Sequence, residues 1–333
     1  MNDTTFYISP KMLPPCENKK GWPWALETPL SKIPNAFDID WPKISIVTPS
    51  YNQAEFLEAT IRSVLLQGYP NLEYAVVDDG SSDHSLEIIK KYESYLAHWE
   101  TGPNRGHAHT LNKGFAHTTG DIVAWINSDD MYAPGAFFAA AEIFTKFKDI
   151  NWIMGRNAQW DEEGNPIRTQ RIYMNRLDFL SGNYNWIEQE STFWRRSLWE
   201  QAGAYIDESQ EINVDGELWC RFFRWDELWH VEMQLAGYRI HGTNRARTKR
   251  KQQVMEMEQA VSRLRALCPP EIRKKTALAK RVMPLIKFFR RFRAPRLHQA
   301  FLDALGLEYQ YKRVISQNGE WAKSIDSDAF LTR

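Results

Sequence analysis

Cysteine is scarce in this chain of 333 residues: Cys16, Cys220 and Cys268 stand far apart with no paired spacing, which argues against a disulfide framework or a zinc-finger-type site and for a reducing compartment. Net charge is absent too, with 42 basic against 42 acidic side chains, so no whole-molecule field points to nucleic acid. No apolar run approaches the roughly 20 residues that span a bilayer. The opening Met-Asn-Asp-Thr-Thr-Phe-Tyr lacks the basic-then-apolar order of a secretory leader. These absences predict a cytoplasmic protein. Hydrophobic residues at 43% and charged residues at 25% supply enough apolar surface for a large core.

Residues 1–42, rich in Pro, Lys and Trp without clear period, read as an irregular arm over the domain surface. From Lys43 the texture changes to short β-branched runs alternating with helical stripes. Lys43–Thr48 reads as a strand, and Asn52 with Glu55 as a helix start ahead of Leu57, Ile61, Val64 and Leu65. Leu72–Asp78 reads as a buried strand, followed by a Gly-Ser-Ser loop and an Asp83 cap. A weaker strand near Trp99, a helix over 109–116, a strand over 122–126 and a helix over 134–147 continue the series. This alternation predicts an α/β fold with a mostly parallel sheet covered on both faces, whose ligands gather at the carboxyl ends of the strands. Beyond Trp152 the pattern gives a hairpin around Glu163-Gly-Asn165, an aromatic stretch over 184–199, and a helix from Asp215 burying Leu218, Phe222 and Trp225. Residues 245–333 read as a basic helical region.

Polar clusters fall at three predicted strand ends: Thr48-Pro-Ser-Tyr-Asn52, Val77-Asp-Asp-Gly-Ser-Ser-Asp83 and Asn127-Ser-Asp-Asp130. Carboxylates gathered at the mouth of a parallel sheet repel one another unless a cation or hydrogen-bond donors share the space. A nucleoside diphosphate with Mg²⁺ or Mn²⁺ supplies both. On the bland reading, Asp83 and Asp215 are helix caps, Asp78 is held by backbone donors at its strand end, and His241 is a satisfied structural histidine.

With these pieces in order the sequence resembles glycosyltransferase family 2, whose members have the GT-A fold. The matching segments are Ser45-Ile-Val-Thr-Pro-Ser-Tyr-Asn52, Val76-Val-Asp-Asp-Gly-Ser-Ser-Asp83, Leu111-Asn-Lys-Gly114, Gly120-Asp-Ile-Val-Ala-Trp-Ile-Asn-Ser-Asp-Asp130 and Asp215-Gly-Glu-Leu-Trp-Cys-Arg221. Singly each is weak; five in the family's order carry the resemblance across about 43–241.

The resemblance implies an inverting transferase using a nucleotide-sugar donor, with uridine as the expected base. Pro49 and Tyr51 would line the base pocket, Asp79 would accept from the ring N–H, and Lys113 and Asp129 would join the donor set. Asp130, with Asp129 and His241, would hold Mg²⁺ or Mn²⁺, Asp130 coordinating directly. Asp215 would be the catalytic base. Asn127 departs from the family's commoner Asp. Glu190, Trp194 and Arg239 are acceptor-side candidates, with Trp186 and Trp199 as further sugar-stacking rings and Arg239 also placed to offset phosphate charge. The implied organisation is an arm (1–42), a catalytic domain (43–244, with a nucleotide-sugar half at 43–150 and an acceptor half at 151–244) and the basic region 245–333. In that region Lys287-Phe-Phe-Arg-Arg-Phe-Arg293 interleaves rings and charges. This suits contact of 245–296 with an anionic membrane, at the inner face where a glycan or lipid-linked acceptor would lie; the plain alternative is a solvated helix packed on the domain. No nucleic-acid recognition module accompanies the charge. Two other readings are a sugar-nucleotide pyrophosphorylase, which usually carries a Gly-rich loop where Pro-Ser-Tyr-Asn stands here, and a non-catalytic nucleotide-sugar-binding relative.

Overall fold

The structure is a computed structural model and describes residues 9–16, 19–26, 28–29, 40–182, 187–244, 248–292, 295–307 and 310–326. Trp186, Arg245 and Arg293 lie outside these residues.

Strand β1 (Ile44–Ser50) is wholly buried, as its β-branched run requires. It leads into α1 (Ala54–Leu65), β2 (Leu72–Asp78), α2 (Ser85–Tyr92), β3 (His98–Thr101), α3 (His107–Ala116), β4 (Ile122–Trp125), β5 (Met131–Tyr132) and α4 (Ala136–Lys146). The second half contains β6 (Trp152–Met154), β7 (Asn157–Trp160), β8 (Pro166–Gln170), α5 (Arg176–Ser181), β9 (Thr192–Arg195), α6 (Arg196–Gln201), α7 (Val214–Trp225), β10 (Trp229–Val231) and β11 (Ala236–Arg239). Three further helices, α8 (Arg250–Leu267), α9 (Pro270–Arg291) and α10 (Pro295–Ala304), precede a hairpin of β12 (Tyr311–Gln317) and β13 (Glu320–Asp326).

The main sheet runs β13-β12-β10-β6-β9-β4-β1-β2-β3, and a smaller one runs β5-β11-β7-β8. In the main sheet β1, β2, β3 and β4 are mutually parallel neighbours, as are β6, β10 and β12. Strand β9 joins the two parallel blocks antiparallel to β4 and β6. The expected mostly parallel sheet is therefore present, with β9 and the edge strand β13 running antiparallel to their neighbours.

Residues 245–333 are helical only in part. The hairpin β12–β13 extends the main sheet beyond β10, so this region completes the sheet rather than hanging from it. Its turn, Asn318-Gly319, has φ of 52° and 83°, the left-handed pair that a two-residue hairpin turn needs. The N-terminal arm is pinned from below. Buried Arg62 of α1 donates to the carbonyls of Pro14, Pro23 and Trp24. Trp225, expected in the buried stripe of α7, is instead 45% exposed; it is the last helical residue, and Arg224 lies over its ring. Leu218 and Phe222 are buried as expected.

Candidate active site at the carboxyl edge of the sheet

Register sets the site. Ser50 pairs with Asp78 at the ends of β1 and β2, and Val47 pairs with Trp125 on the other side, so the segments after β2 and β4 emerge at one edge on either side of β1. Asp79 and Asp129 are thus about two strand spacings, roughly 10 Å, apart in sheet order.

After β2 the chain turns sharply. Asp78 accepts from the amides of Gly80 and Ser81 and from the Thr101 hydroxyl, which is the structural role its strand-end position suggested. Gly80 has φ of 78°, and a Cβ there would lie 2.7 Å from the Gly102 carbonyl oxygen, so only glycine fits. Asp79 is buried and takes the amides of Arg105 and Gly106, one on each carboxylate oxygen. It thereby shapes the loop into α3 and, since a carboxylate offers about four acceptor sites, keeps capacity for a ligand donor. A cleft of about 160 Å³ lies here, lined by Val77, Asp78, Asp79, Gly102, Pro103, Arg105, His109, Thr110 and Lys113. Pro49 and Tyr51 are not among these lining residues; Pro49 is buried at the end of β1 and Tyr51 is 47% exposed. Lys113 is ion-paired with Glu100 at 2.7 Å.

Asn52 does not cap α1. It sits at φ 51° and its Oδ1 accepts from the Ser82 amide. The cap comes from Asp83, which takes the Ala54 amide of α1 with one oxygen and the Ser85 amide of α2 with the other. These bonds hold its carboxyl below the usual range against the desolvation of partial burial.

The turn after β4 is tied to β11. Strand β11 pairs antiparallel with β5, Gly237 opposite Met131, so residues 238–241 return over Asp129 and Asp130. Asp130 is fully buried, and its Oδ1 accepts the Arg239 amide at 2.9 Å. Burial first, then the neighbouring Asp129 charge, pushes its carboxyl well above the usual carboxylate range. Asp129 is the more open of the pair: its Oδ2 lies 2.9 Å from Nε2 of His241. The His241 ring is held by Thr243 Oγ1 on Nδ1 and by Phe56, whose centroid is 4.7 Å away. Asp130, expected to coordinate a cation directly, is the more deeply buried of the two, with Oδ1 held by the Arg239 amide and Oδ2 3.5 Å from Asn127 Nδ2. Asp129, with 17% of its side chain exposed, is the more accessible acid, and His241, whose side chain is 3% exposed, holds it from beneath.

Arg239 is 3% exposed, lies over Phe56 and donates Nη1 to the Glu162 carbonyl. Its Nε and Nη2 are buried and bond nothing, and the carboxylates of Asp130 and Asp129 are close enough to oppose the desolvation that lowers its pKa. Asn127 donates to Gln189 Oε1 at 3.1 Å, a bond that Asp could not make in its charged form.

A 3-10 turn, Gln189–Ser191, brings two more acids. Glu188 accepts from Asn157 at 2.7 Å. Glu190 is 3% exposed, its Oε1 unbonded; burial, then the Glu188 and Asp130 charges, drives its carboxyl well up. The Tyr238 hydroxyl is raised by burial and then by Asp130, Asp129, Glu190 and Glu188, so four carboxyl groups converge around one ring. Neither Glu188 nor Tyr238, which precedes Arg239 on β11, carries a sequence motif that marks it as part of this cluster.

Asp215 occupies the first turn of α7, behind the N-cap residue Asn213. It is partly buried, and desolvation raises its carboxyl to about 6, opposed by backbone donors at Gly216 and itself and aided by the Glu188 charge. Asp215 is thus linked electrostatically to the acid cluster.

Trp194 is not at an acceptor surface. It is fully buried in β9, edge-on to Trp125 at 5.5 Å and to Trp219 at 5.8 Å. Trp199 is 3% exposed and packs on Phe115 at 4.8 Å. Both are core rings, as large apolar side chains on a central strand and the helix covering it must be.

Residues 45–223 match the family model described as glycosyl transferase family 2. An uncharacterized glycosyltransferase of Nostoc sp. is 27% identical over an alignment of 235 residues that covers 61% of this chain and 66% of that protein. One of Rickettsia prowazekii is 28% identical over an alignment of 214 residues that covers 62% of this chain and 67% of that protein. The chain thus spans about two thirds of the length of these curated relatives. Among solved structures, S. aureus TarS 1-349 in complex with UDP superposes with a TM-score of 0.57 at 15% identity, covering 74% of this chain and 72% of that one. The same protein in complex with UDP-GlcNAc gives 0.57 at 16%, covering 72% and 71%. This likeness establishes a shared GT-A fold. With the family model covering more than half its length, the chain belongs to glycosyl transferase family 2.

Proposed function

We propose that the protein transfers a sugar from a UDP-sugar to a hydroxyl of a glycan or lipid-linked acceptor, inverting the anomeric centre in one displacement. The observation that carries this reading is the pairing of Asp129 with His241 beside the two unbonded nitrogens of buried Arg239. A carboxylate and an imidazole suit Mn²⁺ or Mg²⁺ with a diphosphate completing the shell, and the Arg239 nitrogens suit a phosphate oxygen. A bound cation would offset charge on the departing diphosphate. UDP and UDP-GlcNAc complexes of the TarS neighbour support a nucleotide-sugar ligand for the cleft under Asp79.

Asp215 then acts as base. Its carboxylate takes the proton of the acceptor hydroxyl as that oxygen bonds to the anomeric carbon and the bond to the diphosphate breaks. A pKa near 6 leaves it ionised at neutral pH yet basic enough to receive the proton. Asp79 orients the base and Arg239 the diphosphate.

The decisive measurement is UDP release and product formation with a panel of nucleotide sugars, with and without Mn²⁺. Release of pyrophosphate from a nucleoside triphosphate and a sugar 1-phosphate would select the pyrophosphorylase reading instead. Donor binding with no transfer to any acceptor would select the non-catalytic one.

A membrane-bound acceptor at the cytoplasmic face is supported by α9 and the residue after it, which leave Leu285, Phe288 and Phe292 49%, 52% and 62% exposed in a segment rich in Lys and Arg. Three free cysteines suit that compartment, and among the described residues no helix is long and apolar enough to cross a membrane. Replacing Phe288 and Phe292 with Ser should abolish flotation with anionic liposomes; unchanged flotation removes this part of the proposal.

A further inference from the structure

We propose that His98, Glu100 and His117 form a second cation site, selective for a zinc-class divalent ion and separate from the Asp129–His241 pair. Residues 98 and 100 are two apart on β3 and so share one face of the strand. Helix α3 follows β3 and ends at His117, its C-cap residue, which brings a third ligand to that face. One ligand atom from each residue lies within 4.8 Å of the others.

The separations favour an ion over direct bonding. His98 Nε2 is 3.6 Å and His117 Nε2 4.0 Å from Glu100 Oε1. Both are longer than a hydrogen bond and close to the roughly 3.4 Å between two ligands of a tetrahedral zinc with bonds of about 2.1 Å. His98 Nε2 and Glu100 Oε1 are buried atoms with no hydrogen-bond partner, so the inner side of the cluster is chemically unsatisfied. The other carboxylate oxygen is occupied, since Lys113 Nζ holds Oε2 at 2.7 Å, which aims Oε1 at the imidazoles.

The two rings are stacked, 3.7 Å between centroids and 13° between planes. The contact keeps both rings on the same side of Glu100, within reach of one ion. Binding requires the rings to fan apart, and His117, with its side chain 49% exposed, has room to turn. Two imidazoles and one carboxylate select zinc over Mg²⁺ or Ca²⁺, with water in the fourth position. Because Lys113 also lines the cleft beside Asp79, a cation on Glu100 weakens that carboxylate's hold on Lys113 and releases its charge toward the cleft.

The test uses the full chain. Zn²⁺ affinity is measured by competition with a chromogenic chelator, and Co²⁺ substitution is followed by its visible absorption. Wild type and Asp129→Ala are expected to bind one equivalent at this site with nitrogen-ligand bands. His98→Ala and His117→Gln should weaken that binding roughly tenfold or more. Unchanged affinity in both histidine variants, loss of the ion in Asp129→Ala, or no Co²⁺ uptake by wild type would each overturn the proposal. Should His98→Ala fail to fold, the more exposed His117→Gln decides alone.

Discussion

His241 Nε2 meets Asp129 Oδ2 at 2.9 Å across 112 residues of sequence, closing the β11 return over the turn that follows β4. Thr243 and Phe56 fix the His241 ring from behind, so the imidazole in turn orients the Asp129 carboxylate. Asp129→Ala and His241→Ala are each expected to weaken Mn²⁺-dependent UDP binding roughly tenfold or more, read by calorimetry with and without the metal. Binding that is equally tight in both variants would remove the pair from the donor site.

Asp130 behaves differently from its neighbour. It is buried and bonded to the Arg239 amide, so Asp130→Asn, which keeps the acceptor, should preserve both folding and Mn²⁺-dependent binding. Asp130→Ala strands the amide and should cost about 1–3 kcal/mol of stability, measured by urea unfolding. Loss of metal dependence in a stably folded Asp130→Asn would restore Asp130 as the direct ligand.

Asp215 carries two pH signatures of opposite sense. As a base that must be ionised, it should make turnover fall as pH drops below about 6. In stability the raised pKa means that the folded state holds the proton more tightly than the unfolded chain. Its contribution therefore declines as pH rises from the ordinary value of 3.8 to about 6 and stays unfavourable above. Asp215→Asn should lose roughly 10²- to 10⁴-fold in turnover, keep donor affinity, and gain about 1–3 kcal/mol at pH 7.5. A turnover profile flat from pH 5 to 8 would exclude Asp215 as the titrating base.

Trp194→Ala should lower stability by about 3–5 kcal/mol, the cost of emptying a packed aromatic site. The readout is a denaturation midpoint together with acceptor kinetics. A variant with normal stability but a raised acceptor KM would mean that the ring faces the sugar after all.

The strand ends were legible because local chemistry and topology agree there. A β-branched run closing on Val-Asp-Asp-Gly or Asn-Ser-Asp-Asp can hardly be placed elsewhere in an α/β sheet. What stayed hidden is set by long-range packing. Asp129 and Asp130 are adjacent, and only the β5–β11 pairing decides which of them faces out. Trp194 reads as a strand aromatic on either face, and its burial depends on Trp219, which arrives from α7. Glu188, the residue before the short 3-10 turn Gln189–Ser191, has no periodic signature, although its neighbour Glu190 is among the acceptor-side candidates. The β12–β13 hairpin did have a signal in Asn318-Gly319, masked because its flanking residues are largely polar and half-exposed.

That hairpin gives the chain an ordering problem during synthesis. Trp229 of β10 pairs with Lys312 of β12, so one flank of the central sheet stays open until residues more than eighty positions later have left the ribosome. Contacts of such long sequence separation slow folding, and an unpaired strand edge invites association with other nascent chains meanwhile. Expression at low temperature, or with chaperones that shield exposed strands, should raise the soluble yield more than any change to the catalytic half.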